Sequence, residues 1–258
     1  MNERTLAALN KVPEVTIAFW VIKILSTTVG ETVADFLAVQ VGLGASITTA
    51  IMVAILATTL WCQLRASRYV PWIYWLAVVL VSIVGTQITD ILTDRLEISL
   101  YVSTVAFGLG LTAVFALWYA SEKTVSIHTI VTKRRESFYW LAILLTFALG
   151  TAAGDLATEA LGLGFTLGVF IFGAMILAFA AAYYLGANAI LTFWLAYIAT
   201  RPLGASLGDL LSQSRTYGGL GLGTIYTSIV FLTVIACLVA FVTLRPPVDP
   251  MKQPWGPN

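Results

Sequence analysis

Six carboxylates stand inside long apolar runs of this 258-residue chain, and their spacing is regular. "GETVADFL" carries Glu31 and Asp35, "GTQITDIL" carries Asp90, "GTAAGDLA" carries Asp155 with Glu159 just beyond it, and "GASLGDLL" carries Asp209. All four stretches read Gly, four residues, Asp. Residues four apart share one face of an α-helix. Lys23, Thr27, Glu31 and Asp35 therefore form one polar stripe, and Ser82, Thr86, Asp90 and Asp94 a second. Thr151, Asp155 and Glu159 form a third, and Arg201, Ala205 and Asp209 a fourth with Ser206 beside it. Carboxylate, hydroxyl and the Gln87 amide are hard oxygen ligands, which suit Mg²⁺, Ca²⁺ or Mn²⁺ and argue against copper or a thiolate zinc site. Intramembrane carboxylates also act as proton carriers.

These residues are the candidate cation site: Glu31, Asp35, Asp90, Asp155, Glu159 and Asp209, supported by Thr27, Thr86, Gln87, Thr151 and Ser206. Lys23 and Arg201 are the candidate charge partners. Copies one and three each hold a second carboxylate one turn from the aspartate, so Glu31, Asp35, Asp155 and Glu159 are the expected metal ligands. A charge at mid-span costs about 2.5–3.5 kcal/mol on insertion scales. Six unpaired ones would cost on the order of 15–20 kcal/mol. They must be protonated, paired, bound to a cation or close to a surface. Asp94, Arg95 and Glu97 read as ordinary helix ends. The motif glycines suit either close helix packing or a helix opened to expose carbonyls, and Pro202 marks the candidate break.

The elements that position these groups follow from composition. Soluble domains average about 25% charged residues; here 10% are charged and 59% hydrophobic. A membrane-crossing helix needs about 20 apolar residues, and eight such stretches occur, at 14–36, 45–64, 72–93, 99–120, 138–159, 164–186, 188–210 and 222–244. The expectation is an all-α integral membrane protein of eight transmembrane helices. No small-residue cleavage site follows the first stretch, so it reads as retained. Cys62 and Cys237 fall within spans and read as core packers.

The four motifs recur at matched positions, with Asp35 to Asp155 separated by 120 residues and Asp90 to Asp209 by 119. Phe19-Trp20 and Phe193-Trp194 lie at one spacing upstream of their aspartates. This pattern predicts four two-helix hairpin repeats in two parallel, pseudo-symmetric halves, 1–125 and 126–245, followed by a cytoplasmic tail at 246–258. Of the 14 basic residues, ten flank the starts of odd spans and the ends of even ones, and only Arg95 and Arg215 lie at the other side. The positive-inside rule then makes both termini cytoplasmic. Trp61, Trp72, Trp75, Trp118 and Trp140 lie near span ends on that side, as an interfacial belt would.

Several chemistries are excluded. "SLGD" and "AAGD" lack the first glycine of the Gly-x-Gly-Asp motif of intramembrane aspartyl proteases, and the one histidine, His128, lies in a connection. No catalytic triad, phosphate loop or nucleic-acid-binding surface is present, so the chain does not read as an enzyme. "KVPEVTIAFW", "GETVADFL" and "TRPLGASLGDLL" resemble a widespread family of bacterial polytopic membrane proteins over nearly the whole chain. The resemblance implies export of a divalent metal, manganese in particular, across the inner membrane. Small manganese exporters with Glu-x-Gly-Asp motifs are similar in logic only, since this chain lacks that motif.

Cation–proton antiport through the carboxylates is the expected function. No cofactor is expected beyond the transported cation, manganese before zinc or copper. The partners are the bilayer, the cation and protons, and a homo-oligomer is compatible with the sequence. A non-transporting scaffold or sensor held together by buried charges, or a cation channel, are the alternatives.

Overall fold

The computed structural model describes residues 9–41 and 44–244. Among them are eight long helices: α1 Ile17–Val39, α2 Ala45–Arg65, α3 Pro71–Asp90, α4 Leu100–Glu122, α5 Lys133–Asp155, α6 Gly164–Tyr184, α7 Ala189–Ser212 and α8 Thr224–Leu244. Short polar residues start several of them. The Thr16, Ser99, Thr132 and Asn188 side chains each accept a backbone N–H from the first turn, and Pro71 opens α3 where no N–H is needed. All but α7 are long and apolar enough to cross a membrane. Helix α7 is as long but less apolar, and most of it is buried. No strand occurs among the described residues. Directly after Asp90 and Asp155 the helix widens into a π-turn, Ile91–Arg95 and Leu156–Ala160.

The odd helices form a closed inner ring. Helix α1 packs on α3, α3 on α5, α5 on α7, and α7 returns to α1. Over half of the apolar stretch is buried in α1, α3 and α5, against 11–22% in α2, α4, α6 and α8. The outer helices do not pack as hairpins. The two helices of one repeat scarcely touch; instead α2 lies on α3, α4 on α5, α6 on α7, and α8 on α1. Each outer helix thus leaves its own repeat and covers the inner helix of the next one in the ring. Sequence halves 1–125 and 126–245 meet through the α3–α5 and α7–α1 pairs, which repeat the contacts inside each half.

Two layers of side chains explain why the ring closes. Near the start of the inner helices, the indoles of Trp75, Trp140, Trp194 and Trp20 pack against Phe19, Tyr74, Tyr139 and Phe193, with centroids 5.5–6.2 Å apart. Each tryptophan stacks on the aromatic of the repeat before it. Eleven residues further, about 16 Å along, the motif glycines do the converse. A Cβ at Gly30, Gly85, Gly150 or Gly204 would lie 2.5, 2.7, 2.5 or 2.5 Å from the Cβ of Ser82, Phe147, Arg201 or Thr27, each on the following repeat. Only glycine lets the backbones approach this closely.

The glycines therefore serve packing, and none opens its helix. Helix α7 also runs through Pro202 without a break. Three of the five tryptophans expected in an interfacial belt, Trp75, Trp118 and Trp140, are instead buried, and only Trp61 and Trp72 face outward. Cys62 and Cys237 are free and exposed on the outer helices α2 and α8, not packed in the core.

Candidate functional site

At the level of the motif glycines, four side-chain positions point into the ring. Counting from the conserved-spacing aromatic of each repeat (Phe19, Tyr74, Tyr139, Phe193), the position eight residues on is Thr27, Ser82, Phe147 or Arg201. Twelve residues on it is Glu31, Thr86, Thr151 or Ala205. Arg201 is fully buried on α7, and its stripe-mate Ala205 leaves space one turn further along. The guanidinium reaches into that space and meets the other three members of the layer. Its Nη2 donates to Glu31 Oε2 at 2.5 Å, to Thr151 Oγ1 at 2.7 Å and to Thr86 Oγ1, and its Nη1 donates to the Thr27 carbonyl at 3.4 Å. One side chain thereby joins all four inner helices.

Charge pairing in the core is therefore set by Arg201. Lys23 does not pair with Glu31. Its fully buried Nζ has no hydrogen-bond partner among the described residues and lies 3.9 Å from the Phe147 ring centre and 4.3 Å from that of Tyr197. A cation over aromatic faces retains part of the stabilisation it would find in water.

One turn beyond the layer of Glu31, Thr86, Thr151 and Ala205, at the far end of the ring, lie the four motif aspartates. Asp209 is buried, Asp35, Asp90 and Asp155 are half-buried, and Glu159 and Asp94 are exposed. These carboxylates stand within reach of one another's charge and of Glu31. Among the described residues none of the four aspartates has an ion-pair partner, and Glu31 alone is matched, by Arg201. Gln213 Nε2 donates to Asp35 Oδ2 at 3.4 Å. It is held there because segment 218–223 folds back along the end of α7, with Leu220, Leu222 and Gly223 N–H groups bonded to Leu210, Leu211 and Ser212 carbonyls.

The structure brings Thr27, Glu31, Thr86, Thr151 and Arg201 into one hydrogen-bonded cluster, with Asp35, Asp90, Asp155 and Asp209 around its outer end. Glu159 lies further out on the π-turn after α5. Gln87 Oε1 and Ser206 Oγ are buried without partners among the described residues. No three carboxylate, histidine or thiolate side chains among those residues are close enough to ligate one ion together. The expected ligands Glu31, Asp35, Asp155 and Glu159 are thus neighbours in charge without sharing one coordination centre.

A second polar cluster closes the opposite end. Lys11 Nζ donates to Glu136 Oε2 at 2.7 Å and to the Leu64 carbonyl at 3.2 Å, while Gln63 Nε2 donates to Glu136 Oε1 at 3.1 Å. Nearby, Arg134 and Arg135 flank Glu122 at 3.4 and 2.9 Å.

The aromatic layer was only half visible in the sequence, where the Phe-Trp pairs of the first and last repeats stand out. Tyr74-Trp75 and Tyr139-Trp140 complete it: in all four repeats the aromatic precedes the aspartate by sixteen residues. Allowing tyrosine for phenylalanine would have revealed it.

The family described as Repeat of Unknown Function (DUF347) matches this chain four times, over residues 18–69, 73–124, 138–187 and 192–245. Each match holds one inner helix, one outer helix and one of the four aspartates. No curated protein and no solved structure matches the chain.

Proposed function

The chain belongs to the DUF347 repeat family, and from that premise and its buried charges we propose that it is a secondary transporter exchanging a divalent cation for protons. All eight helices cross the bilayer, with α7 shielded from lipid by the others, and both termini face the cytoplasm of a bacterial cell. One observation carries the reading: four half-buried or buried aspartates, without ion-pair partners among the described residues, surround the outer end of a ring whose buried guanidinium, Arg201, is already matched to Glu31. Carrying that many carboxylates costs several kcal/mol each if they stay charged and unmatched, which suits groups that alternate between protons and a cation.

In the proposed cycle the cation enters among Asp35, Asp90, Asp155 and Asp209 and draws them together, releasing protons. Glu31 joins when Arg201 lets go of it. Sequence halves 1–125 and 126–245 then shift at the α3–α5 and α7–α1 contacts, opening the cluster of Lys11, Gln63 and Glu136 to the cytoplasm. Manganese is the first candidate substrate, on the oxygen-only ligand set.

A structural role has its own supporting observation. Arg201 ties all four repeats through one fully buried side chain, which is what a scaffold or sensor component needs. The two readings separate at Asp155, which has no ion-pair partner. Asp155→Asn should leave the thermal midpoint in detergent unchanged and abolish Mn²⁺ flux and opposing proton movement in proteoliposomes. Absence of Mn²⁺, Mg²⁺, Ca²⁺ and Zn²⁺ flux in the wild type, with Asp155→Asn destabilised, would sink the transporter reading and leave the scaffold.

A further inference from the structure

Below Arg201, toward the start of the inner helices, the centre of the ring should be apolar, and in part it is not. Repeats two and three place Val78 and Ile143 there, four residues after their aromatics, but repeats one and four place Lys23 and Tyr197. The Lys23 ammonium nitrogen lies over the Tyr197 ring at 4.3 Å. The Tyr197 hydroxyl is buried beside that of Tyr139, and among the described residues it meets no partner in direct hydrogen-bond geometry. Tyr139 and Tyr74 then share a hydrogen bond of 2.5 Å between their hydroxyls. Lys23, Tyr197, Tyr139 and Tyr74 are all at most 1% exposed. One turn before Tyr139 on α5 stands Glu136, bonded to Lys11 and Gln63.

These groups occupy two adjacent layers, Tyr74 with Tyr139 and, one turn further along, Tyr197 with Lys23. Tyr139 to Thr151 is twelve residues, or about 18 Å of helix, and Tyr74 to Thr86 is the same. Thr151 and Thr86 both receive Arg201, so the two ends of this stretch are in register on both helices. A packed core does not need these polar groups, since apolar residues of equal volume commonly serve a buried position as well or better. Arg201 is the charged group that reaches Lys23. Tyr197 on α7 is the titratable one beside it, Phe147 comes from α5, and α3 carries no ionisable side chain between Tyr74 and Asp90.

We propose that Lys23, Tyr197, Tyr139 and Tyr74 form the proton route between the cation site and the Lys11–Glu136 end of the ring, with Lys23 as the carrier. This rests on the transporter reading and adds the groups that carry the proton between Arg201 and the Lys11–Glu136 end of the ring. A proton entering past the Lys11–Glu136 pair is accepted by the Tyr74 oxygen, which gives its own proton to Tyr139; a shift of the Tyr197 side chain brings its hydroxyl first to Tyr139 and then to the Lys23 amine, which takes the proton. Each hydroxyl gains one proton and loses one, Lys23 gains one positive charge, and the proton is supplied by the solution at the Lys11–Glu136 end. As ammonium it repels the Arg201 guanidinium; as amine it does not. That difference biases whether Arg201 stays on Glu31, and so whether Glu31 is free for the cation.

The test separates exchange from coupling. Wild type, Lys23→Met and Tyr139→Phe are reconstituted in liposomes. Two fluxes are measured, Mn²⁺-for-Mn²⁺ exchange at equal pH and net Mn²⁺ uptake driven by a pH gradient. Both variants should retain exchange within about twofold while pH-driven uptake falls at least about tenfold. Net uptake that stays in proportion to exchange would overturn the proton route and leave the transporter reading standing. If the wild type moves none of Mn²⁺, Mg²⁺, Ca²⁺ and Zn²⁺ in either mode, the transporter reading falls. Proton entry under an imposed membrane potential, read by an entrapped pH dye, then decides the route: it survives if Tyr139→Phe abolishes the entry and is overturned if the variant leaves it intact or the wild type shows none. Tyr139→Phe removes one oxygen and no volume, so it keeps the test open if Lys23→Met fails to fold.

Discussion

Substituting alanine for Gly150 places a methyl group 2.5 Å from both Cβ and Cγ of Arg201 and 3.1 Å from Cδ of Pro202. Carbon atoms rest at about 3.5–4.0 Å, so α5 and α7 must part by about 1 Å. The arginine cannot swing aside, because its guanidinium is anchored on Glu31, Thr86 and Thr151. Overpacking of this kind costs about 1–3 kcal/mol. Alanine is also the better helix former, by about 0.5–1 kcal/mol over glycine. The net should be a loss of about 1–2 kcal/mol, with a fall in thermal midpoint of about 2–8 °C by the scaling for chains of this length.

Gly173→Ala is the control. Gly173 lies inside α6, and a Cβ there meets nothing within 4 Å, so only the propensity gain remains and the midpoint should hold or rise slightly. Gly85→Ala, whose Cβ would lie 2.7 Å from Phe147 Cβ and 3.3 Å from the Ala148 nitrogen, should follow Gly150→Ala. The assay is thermal unfolding of the purified proteins in one detergent. A Gly150→Ala midpoint at or above that of Gly173→Ala would refute the close packing of the ring.

Two more outcomes follow from the buried charges. Glu31→Gln leaves the Arg201 guanidinium without its counter-charge and should cost about 3–5 kcal/mol, whereas Glu31→Gln with Arg201→Met should lose less than the two single changes added together, by about 1 kcal/mol or more; additive midpoint shifts would show that the pair is not formed. Glu136→Gln removes the carboxylate that holds Lys11, and limited trypsin digestion should then cut after Lys11 about fivefold faster or more, as local opening becomes easier; an unchanged rate would mean the segment is held by other contacts.

Much of this architecture could be read from the sequence, because apolar length and period-four polar stripes are local properties. The observed helices start and end within a few residues of the expected spans, apart from an earlier start to α5 at Lys133. The alignment of Gly30, Gly85, Gly150 and Gly204 correctly marked equivalent positions. Partner choice was not legible. Connections 40–44 and 66–70 are both five residues long, so nothing local decides whether α2 leans on α1 or on α3. The pairing of Glu31 depends on the same register. Lys23 and Arg201 both belong to polar stripes, but they stand four and eight residues after their aromatics, one turn apart in height. Arg201 stands one turn below Glu31 and Lys23 two turns below, so the guanidinium is the one that reaches it, and that is apparent only when the four aromatics are aligned as one layer.

The ring is most regular where it packs and least regular where it is charged. The aromatic layer and the glycine layer repeat around all four units with nearly equal distances, and either would be satisfied by four identical repeats. The layers between and above them would not. Four copies of Arg201 would crowd four guanidinium groups onto one axis, and four copies of Glu31 would do the same with carboxylates, at several kcal/mol for each unmatched charge. Across these two layers the chain instead holds one arginine, one glutamate, three threonines, one serine, one phenylalanine and one alanine where symmetry would give two sets of four. Ala205 makes the space, Arg201 fills it, and Thr86 and Thr151 accept from it. The departures from the repeat are therefore concentrated at Lys23, Glu31, Arg201, Ala205 and Tyr197, while the aspartates stay common to all four copies. Breaking the symmetry at the axis gives the ring a direction, with carboxylates at one end, a single ion pair in the middle and a lysine-tyrosine cluster behind it, and a vectorial process requires that difference between its two sides.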